Sequence, residues 1–205
     1  MSTRLVATAR EDVLLLTLES DDGYPRLESA VMKTLAREMT RLAQTPGFAG
    51  AVVTGSERAF AVGADIAEIA QLQAAQALEF SRRGQGVMAA IAFSQKPVIA
   101  AIRGFCLGGG LDLALACHAR IAMHDAIFAH PGAALGIITG WGGTQRLPRL
   151  IGRKRALEMV VTGAKINAQE AFACGLVTAV SSGPELIAEA FRMARRQQAS
   201  GSEIP

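Results

Sequence analysis

Arg103-Gly104-Phe105-Cys106-Leu107-Gly108-Gly109-Gly110-Leu111-Asp112-Leu113-Ala114 is the stretch from which the fold can be read. The apolar run Pro97-Val98-Ile99-Ala100-Ala101-Ile102 leads into it and reads as a buried strand. Beyond it, Leu111, Leu113, Ala114, Leu115 and Ala116 read as a helix too apolar to face water. Consecutive glycines thus stand where a strand gives way to a buried helix. Without a Cβ, their backbone N–H groups can approach a ligand closely. A helix N-terminus adds unpaired N–H groups and the positive end of the helix dipole. The combination suits an anion, or an oxygen that becomes one during a reaction. Asp112 lies one turn further in, where a carboxylate could reach the same spot. A plainer reading, a glycine-rich packing turn with an Asp near a helix start, fits this stretch equally well.

The rest of the composition narrows the field. With 205 residues, half of them hydrophobic and 19% charged, the chain can fill one core and is not of the disordered class. No apolar run reaches membrane-spanning length. The start, Met1-Ser2-Thr3-Arg4, lacks the apolar core of a signal peptide, so a cytoplasmic location with no membrane partner is expected. Cys106, Cys117 and Cys174 are odd in number, scattered and in apolar surroundings, and read as small buried hydrophobes in a reducing compartment. No Cys/His spacing suits a metal. A formal net charge of +3 would help hold a polyphosphate, but one Trp and one Tyr offer no stacking platform for nucleic acid.

Taken in order, Leu5 to Ala9 and Val13 to Leu18 predict a hairpin. Val31, Leu35, Met39 and Leu42 recur at helical spacing in a segment that starts at Leu27 and stops at Thr45-Pro46-Gly47. Ala51 to Thr54 predicts a short strand. Ala59 to Ile66 is a loop of small residues before a helix, with Asp65 as cap and Glu68 as its capping-box partner. It is a second place where N–H groups could face a ligand. A helix follows from about Ala74 to Phe93, then short strands at Arg120 to Met123 and Ala126 to Ala129. Gly140 to Leu147 opens another helix, and Arg153-Lys154-Arg155 the next. Asn167 with Glu170 caps a short helix, Leu176 to Val180 is a strand, and Pro184 to Ala199 a final helix. Strand and helix alternate, which predicts an α/β fold.

Several chemistries are excluded. Gly140-Trp141-Gly142-Gly143-Thr144-Gln145 resembles a dinucleotide fingerprint but carries Gln145 where the third glycine belongs. No P-loop and no G-x-S-x-G elbow occurs. His118, His124 and His130 are too scattered for a metal site and read as structural or surface residues. His130 alone keeps interest, because it opens a loop of small residues.

Five motifs in the right order resemble the enoyl-CoA hydratase/isomerase (crotonase) superfamily. Tyr24 to Ala30 is similar to a basic-Pro-x-x-x-Asn-Ala segment, with Ser29 in the Asn place. Ala59 to Ile69 resembles A-F-x-x-G-A-D-I-x-E, and Gly104 to Ala114 resembles G-x-x-x-G-G-G-x-E-L-A. Gly140 to Leu147 resembles G-x-G-G-T-Q-R-L, and Thr162 to Val177 a later T-G-x-x-I-x-A-x-E-A-x-x-x-G-L-V. The resemblance implies an α/β fold of repeated ββα turns over residues 1–199, with a disordered tail at 200–205. It also implies trimers or paired trimers, and a coenzyme A thioester as ligand with no separate cofactor. It makes the N–H groups of Ala64 and Gly109 an oxyanion hole. Val62, Asp65 and Ile66 would lie along the pantetheine and acyl tunnel, Arg26 and Leu27 near the nucleotide, and Gly108, Pro131 and Gly132 beside the substrate.

Two features depart from that pattern. The hydratases use two glutamates; the first falls on Asp112, one methylene shorter, and the second on Gly132, which has no acid. Restoring a glutamate at 132 is therefore expected to raise hydration. The resemblance also implies further helices after Ala199 that close the site, so a shortened lid is expected, with apolar surface exposed on the last helix at Leu186, Ile187, Ala190 and Phe191. Two functions follow. One is an enzyme that hydrates or isomerises an enoyl-CoA with Asp112 as catalytic acid/base. The other is a catalytically weak acyl-CoA-binding protein acting as a subunit or ligand sensor.

Overall fold

The computed structural model describes residues 2–181, 183 and 185–200. The chain opens with the antiparallel hairpin β1 (Thr3–Arg10) and β2 (Val13–Ser20), followed by α1 (Ser29–Gln44). Thereafter a pattern of two strands and a helix repeats. The first repeat is β3 (Gly50–Thr54), β4 (Ala59–Ala61), α2 (Ile66–Ala70) and α3 (Ala74–Ala92). The second is β5 (Val98–Ile102), β6 (Phe105–Leu107) and α4 (Gly109–Ala116). The third is β7 (Ala119–Met123), β8 (Ile127–Ala129), a 3-10 turn at Pro131–Leu135, α5 (Gly143–Ile151) and α6 (Arg153–Thr162). β9 (Ile166–Asn167), α7 (Ala168–Ala173), β10 (Ala179–Ser181) and α8 (Leu186–Ser200) complete it.

The two strands of each repeat join different sheets. One sheet runs β1-β2-β3-β5-β7-β10, parallel from β2 onward; the other runs β4-β6-β8-β9. This is the expected ββα repeat, and it corrects one detail of the glycine stretch. The strand before the glycines is not Pro97 to Ile102 directly. The chain turns at Arg103-Gly104 and forms a second strand, Phe105–Leu107, in the other sheet. Three residues are too few to show a period, so the sequence hid it.

The apolar runs are continuous because the main sheet is covered on both faces. Paired residues Val52, Ile99 and Ala119 face α8, where Leu186, Ala190 and Ala194 are fully buried against them. Their neighbours Val53, Ala100 and Ile102 face the larger core with Phe60, Leu111 and Met88. The last helix therefore does not expose Leu186 and Ala190 as expected; it closes the second face of the sheet, with Ile187 and Phe191 half-buried beside it. Its expected start, Pro184, lies outside the described residues, as does the expected tail beyond Ser200, which itself still belongs to α8. Cys106 and Cys117 are buried free thiols as expected, but Cys174 is only half-buried. Among the described residues no helix is long and apolar enough to cross a membrane.

Candidate active site

The glycine triplet does what its position between β6 and α4 suggested. Gly108 caps α4 at φ +51°, ψ −120°, a conformation that a side chain would make costly, and this turns the chain so that Gly109 becomes the first helical residue. Gly110 lies so close to β4 that a Cβ would sit 2.3 Å from the Ala61 carbonyl oxygen. That close approach sets the start of α4 beside the loop after β4. A Cβ built on Gly109 would stand 3.3 Å from the Ala64 nitrogen. Neither the Ala64 nor the Gly109 N–H donates a hydrogen bond among the described residues, so two adjacent donors are left for something else.

The Ala64 loop is pinned from the N-terminal side. Leu27 N–H donates to the Gly63 carbonyl at 2.8 Å and Val62 N–H to the Pro25 carbonyl at 2.9 Å. Leu27 itself is fully buried in the core, and Arg26 pairs with Asp22 at 3.0 Å. Asp65 caps α2 by accepting the Glu68 N–H at 2.9 Å. Glu68 does not close a capping box with it as expected. Its carboxylate reaches across to α1 and accepts the Ser29 N–H at 3.0 Å and the Ser29 hydroxyl. An acidic side chain has thus found the orphan donors of another helix start.

Asp112 is 1% exposed. Its Oδ2 accepts the Thr139 hydroxyl and, at 3.2 Å, the Trp141 N–H, while Oδ1 has no hydrogen-bond partner within the chain. Burial pushes its carboxyl up to about 6; the Thr139 hydroxyl, the N–H groups of Trp141 and Gly143 and the half-buried Arg146 guanidinium limit the rise. The glycine-rich run that imitated a dinucleotide fingerprint thus has another task, since it brings the start of α5 to a buried carboxylate.

A cavity of about 340 Å³ joins these groups. Its walls include Val62, Ala64, Ile66, Gly108, Gly109 and Asp112, with Pro131 and Gly132 opposite. Arg26, Leu27 and Asp65 are not among its lining residues, whereas Phe80 and Thr139, which the sequence did not single out, are. Phe80 of α3 and the buried Trp141 form an aromatic wall, ring centroids 5.3 Å apart. Thr139 escaped notice because only the return of the 136–140 loop brings it to Asp112. His130 is also in the wall, 3% exposed, with Nε2 3.8 Å from Asp112 Oδ1. Burial pushes its imidazole down to about 4, so the ring is neutral and the approach is not an ion pair. His118 is structural, its Nδ1 accepting the Val98 N–H at 2.9 Å, and His124 is exposed.

Gly132 is less free than its missing side chain suggests. A Cβ there would lie 2.8 Å from the Ile137 carbonyl oxygen. The sequence expectation that a glutamate fits at 132 therefore meets a backbone atom, which cannot swing aside as a side chain can.

Comparisons with known proteins bear on the family and the fold. The sequence pattern of the enoyl-CoA hydratase/isomerase family matches residues 8–204. The chain is 38% identical over 198 residues to crotonyl-CoA hydratase of Syntrophomonas wolfei, an alignment spanning 96% of this chain and 76% of that protein. Its fold superposes on the crystal structure of an enoyl-CoA hydratase from Bacillus anthracis with TM-score 0.87 and 36% identity, over 98% of this chain and 77% of that one. A Thermoplasma volcanium enoyl-CoA hydratase gives 0.86 and 34%, over 94% and 76%. The chain belongs to the enoyl-CoA hydratase/isomerase family, and its fold is that of the crotonase superfamily.

Proposed function

We propose that this protein binds an acyl-CoA thioester and hydrates or isomerises an enoyl-CoA through an enolate. The observation that carries the reading is the pair of unengaged N–H groups, Ala64 and Gly109, in one cavity with the buried carboxylate of Asp112. Adding a nucleophile across a conjugated double bond, or removing a proton beside the thioester, moves charge onto the thioester oxygen. Two fixed donors are preorganised for that oxygen, and each such donor is typically worth about 2.7–4 kcal/mol. Asp112, with its carboxyl near 6, is mostly ionised at neutral pH yet a competent acid once protonated, which suits a group that takes a proton and returns it.

Names of relatives support the substrate class: those quoted above are a crotonyl-CoA hydratase and enoyl-CoA hydratases. On this reading the only coenzyme needed is the CoA carried by the substrate, and the setting is fatty acid metabolism in the cytoplasm. We also infer a trimer or hexamer. Leu157 and Val161 on α6 and Phe172 on α7 are each more than half exposed, and apolar side chains of that size commonly mark subunit contacts. Incubation with enoyl-CoAs of graded chain length, with products resolved by mass, tests the activity. Failure to bind or convert any member of the series would sink the reading. Light scattering at micromolar concentration tests the assembly, and a monomeric mass would overturn it.

A further inference from the structure

Phe80 and Trp141 line two cavities, not one. The first is the candidate active site. The second, about 320 Å³, lies between α1 and α3, bordered by Met32 and Ala36 of α1 and by Gly86 and Val87 of α3. Lys33 and Arg83 border it too; both are exposed, and Arg83 is engaged with Glu79. Each cavity is at the low end of the roughly 300–1,000 Å³ that ligand pockets occupy.

The position of the donors decides which part of a thioester meets the two rings. A Cβ on Gly109 would lie 2.8 Å from the indole, so that ring stands beside one of the N–H groups assigned to the thioester oxygen. Carbons just beyond the thioester therefore reach Trp141 first and Phe80 next. An acyl chain suits such a wall, whereas the amide-bearing pantetheine arm needs hydrogen-bond partners. The two rings are not equally firm. Trp141 is buried and seated on Gly84, whose would-be Cβ meets it at 2.0 Å. Phe80 is half-buried, one helical turn before Gly84, and tilted 42° against the indole. Truncating Phe80 removes wall and leaves Trp141 on its seat.

We propose that Phe80 ends the acyl part of the site and makes this protein selective for short enoyl-CoA thioesters. The proposal rests on the enoyl-CoA reading above and names its chain length. A chain that passes the indole meets the Phe80 ring, and the cavity behind that ring could keep further carbons out of water. With Phe80 in place they do not reach it. With Phe80 truncated, each methylene that enters adds roughly fourfold in kcat/KM, the gain for taking one methylene out of water.

The experiment measures kcat/KM for a four-carbon and a twelve-carbon enoyl-CoA and reads their ratio, in which a general loss of activity cancels. It compares the full chain with Phe80→Ala, Gly86→Leu and the double variant. Gly86 borders the second cavity and not the first, and a Cβ there meets nothing within 4 Å, so leucine fills that space without pressing on the site. The unmutated chain should favour the four-carbon substrate by about tenfold or more, the usual discrimination against a chain too long for its pocket. Phe80→Ala should shift the ratio toward the twelve-carbon substrate by about tenfold or more, for which two buried methylenes suffice. Gly86→Leu alone should keep the parent ratio, and in the double variant it should cancel most of the shift. A parent equally fast on both substrates, a ratio that Phe80→Ala does not move, or a shift that Gly86→Leu does not reverse overturns the proposal and leaves the enolate reading standing. Conversion of neither substrate by the unmutated chain takes both down.

Discussion

Gly84 and Trp141 are packed so closely that a Cβ on Gly84 would lie 2.0 Å from the indole Nε1. The indole is also stacked near Phe80 and meets Gly109, whose own Cβ would lie 2.8 Å from the ring. The backbone of the same residue donates to Asp112. One buried ring therefore ties α3, the donor at the start of α4 and the carboxylate together. Gly84→Ala should drive the ring off its seat, at an overpacking cost of typically 1–3 kcal/mol. Turnover should fall as the Asp112 carboxylate loses its alignment. Gly86, two residues along the same helix, is exposed with nothing within 4 Å of its would-be Cβ. Gly86→Ala should stabilise by about 0.5–1 kcal/mol, the usual gain for alanine in a helix. Thermal melts of the two variants with the same sign of shift would contradict this packing.

The Asp112–His130 pair also predicts an unusual pH response. Asp112 has a folded pKa of about 6, above its ordinary 3.8. Its contribution to stability is fully present below that ordinary value and is lost as pH rises through 6. His130 has a folded pKa of about 4, below its ordinary 6.5. Its contribution is present above 6.5 and is lost as pH falls through 4. Each is worth up to about 3 kcal/mol, and over the shared window they oppose each other. Arg146, the charged neighbour of Asp112, stays protonated throughout. Between pH 6.5 and pH 4, His130→Gln should therefore gain stability relative to the unmutated chain, and Asp112→Asn should lose it. Denaturant midpoints read across that window check both signs. Curves for the two variants that run parallel to the parent would show that neither group titrates as its surroundings dictate.

Ala64→Pro isolates one donor of the oxyanion hole. Proline removes the N–H without touching Asp112 or His130. Loss of one such donor typically costs about 10²–10³ in turnover. Proline at Gly109 is a poorer test, because its Cβ would press on Trp141 even though the first helical position tolerates the missing N–H. Cys117→Ser serves as the buried control, since its Sγ bonds to the Leu113 carbonyl and it is not among the residues that line the cavity; it should alter stability alone. Equal turnover in Ala64→Pro and the parent, with the fold intact, would remove this loop from the chemistry.

What could be read from the sequence was what is local or periodic. The helix of Val31, Leu35, Met39 and Leu42 declares itself at 3.6-residue spacing, and all four residues are buried. Gly108 and Asp112 belong to one strand–helix junction, so their adjacency follows from a single turn of helix. The Asn167–Glu170 capping box is likewise a three-residue event, and it is present. Long-range pairings left no such mark. Ser29 and Glu68 are 39 residues apart, and Thr139 and Asp112 are 27 apart; nothing in either segment encodes the other. His130 gave a faint signal because it opens a loop of small residues, but only the sheet register brings it beside Asp112. Leu27 shows another long-range pairing of this kind, since its N–H holds the Gly63 carbonyl beside Ala64 from 36 residues away.

Gly132 is where the two readings of the sequence part. By analogy with two-glutamate hydratases, Gly132→Glu should raise hydration. The structure argues against it. A side chain at 132 meets the Ile137 carbonyl at 2.8 Å, and the Ile137 N–H is bonded back to the Gly132 carbonyl at 3.0 Å. The two residues close one turn, so displacing Ile137 also strains its hydrogen bond to Gly132. Two residues on, Thr139 gives its hydroxyl to Asp112. Moving the turn therefore pulls on the group that orients the carboxylate, and a displacement of about 1 Å can cost on the order of a hundredfold in rate. Gly132→Glu should lower the melting temperature and leave hydration at or below the parent rate. Gly132→Ala should show most of the same loss with no carboxylate added, which assigns the effect to the turn. If Gly132→Glu instead melts like the parent and hydrates faster, the turn yields and the site lacks only a second acid.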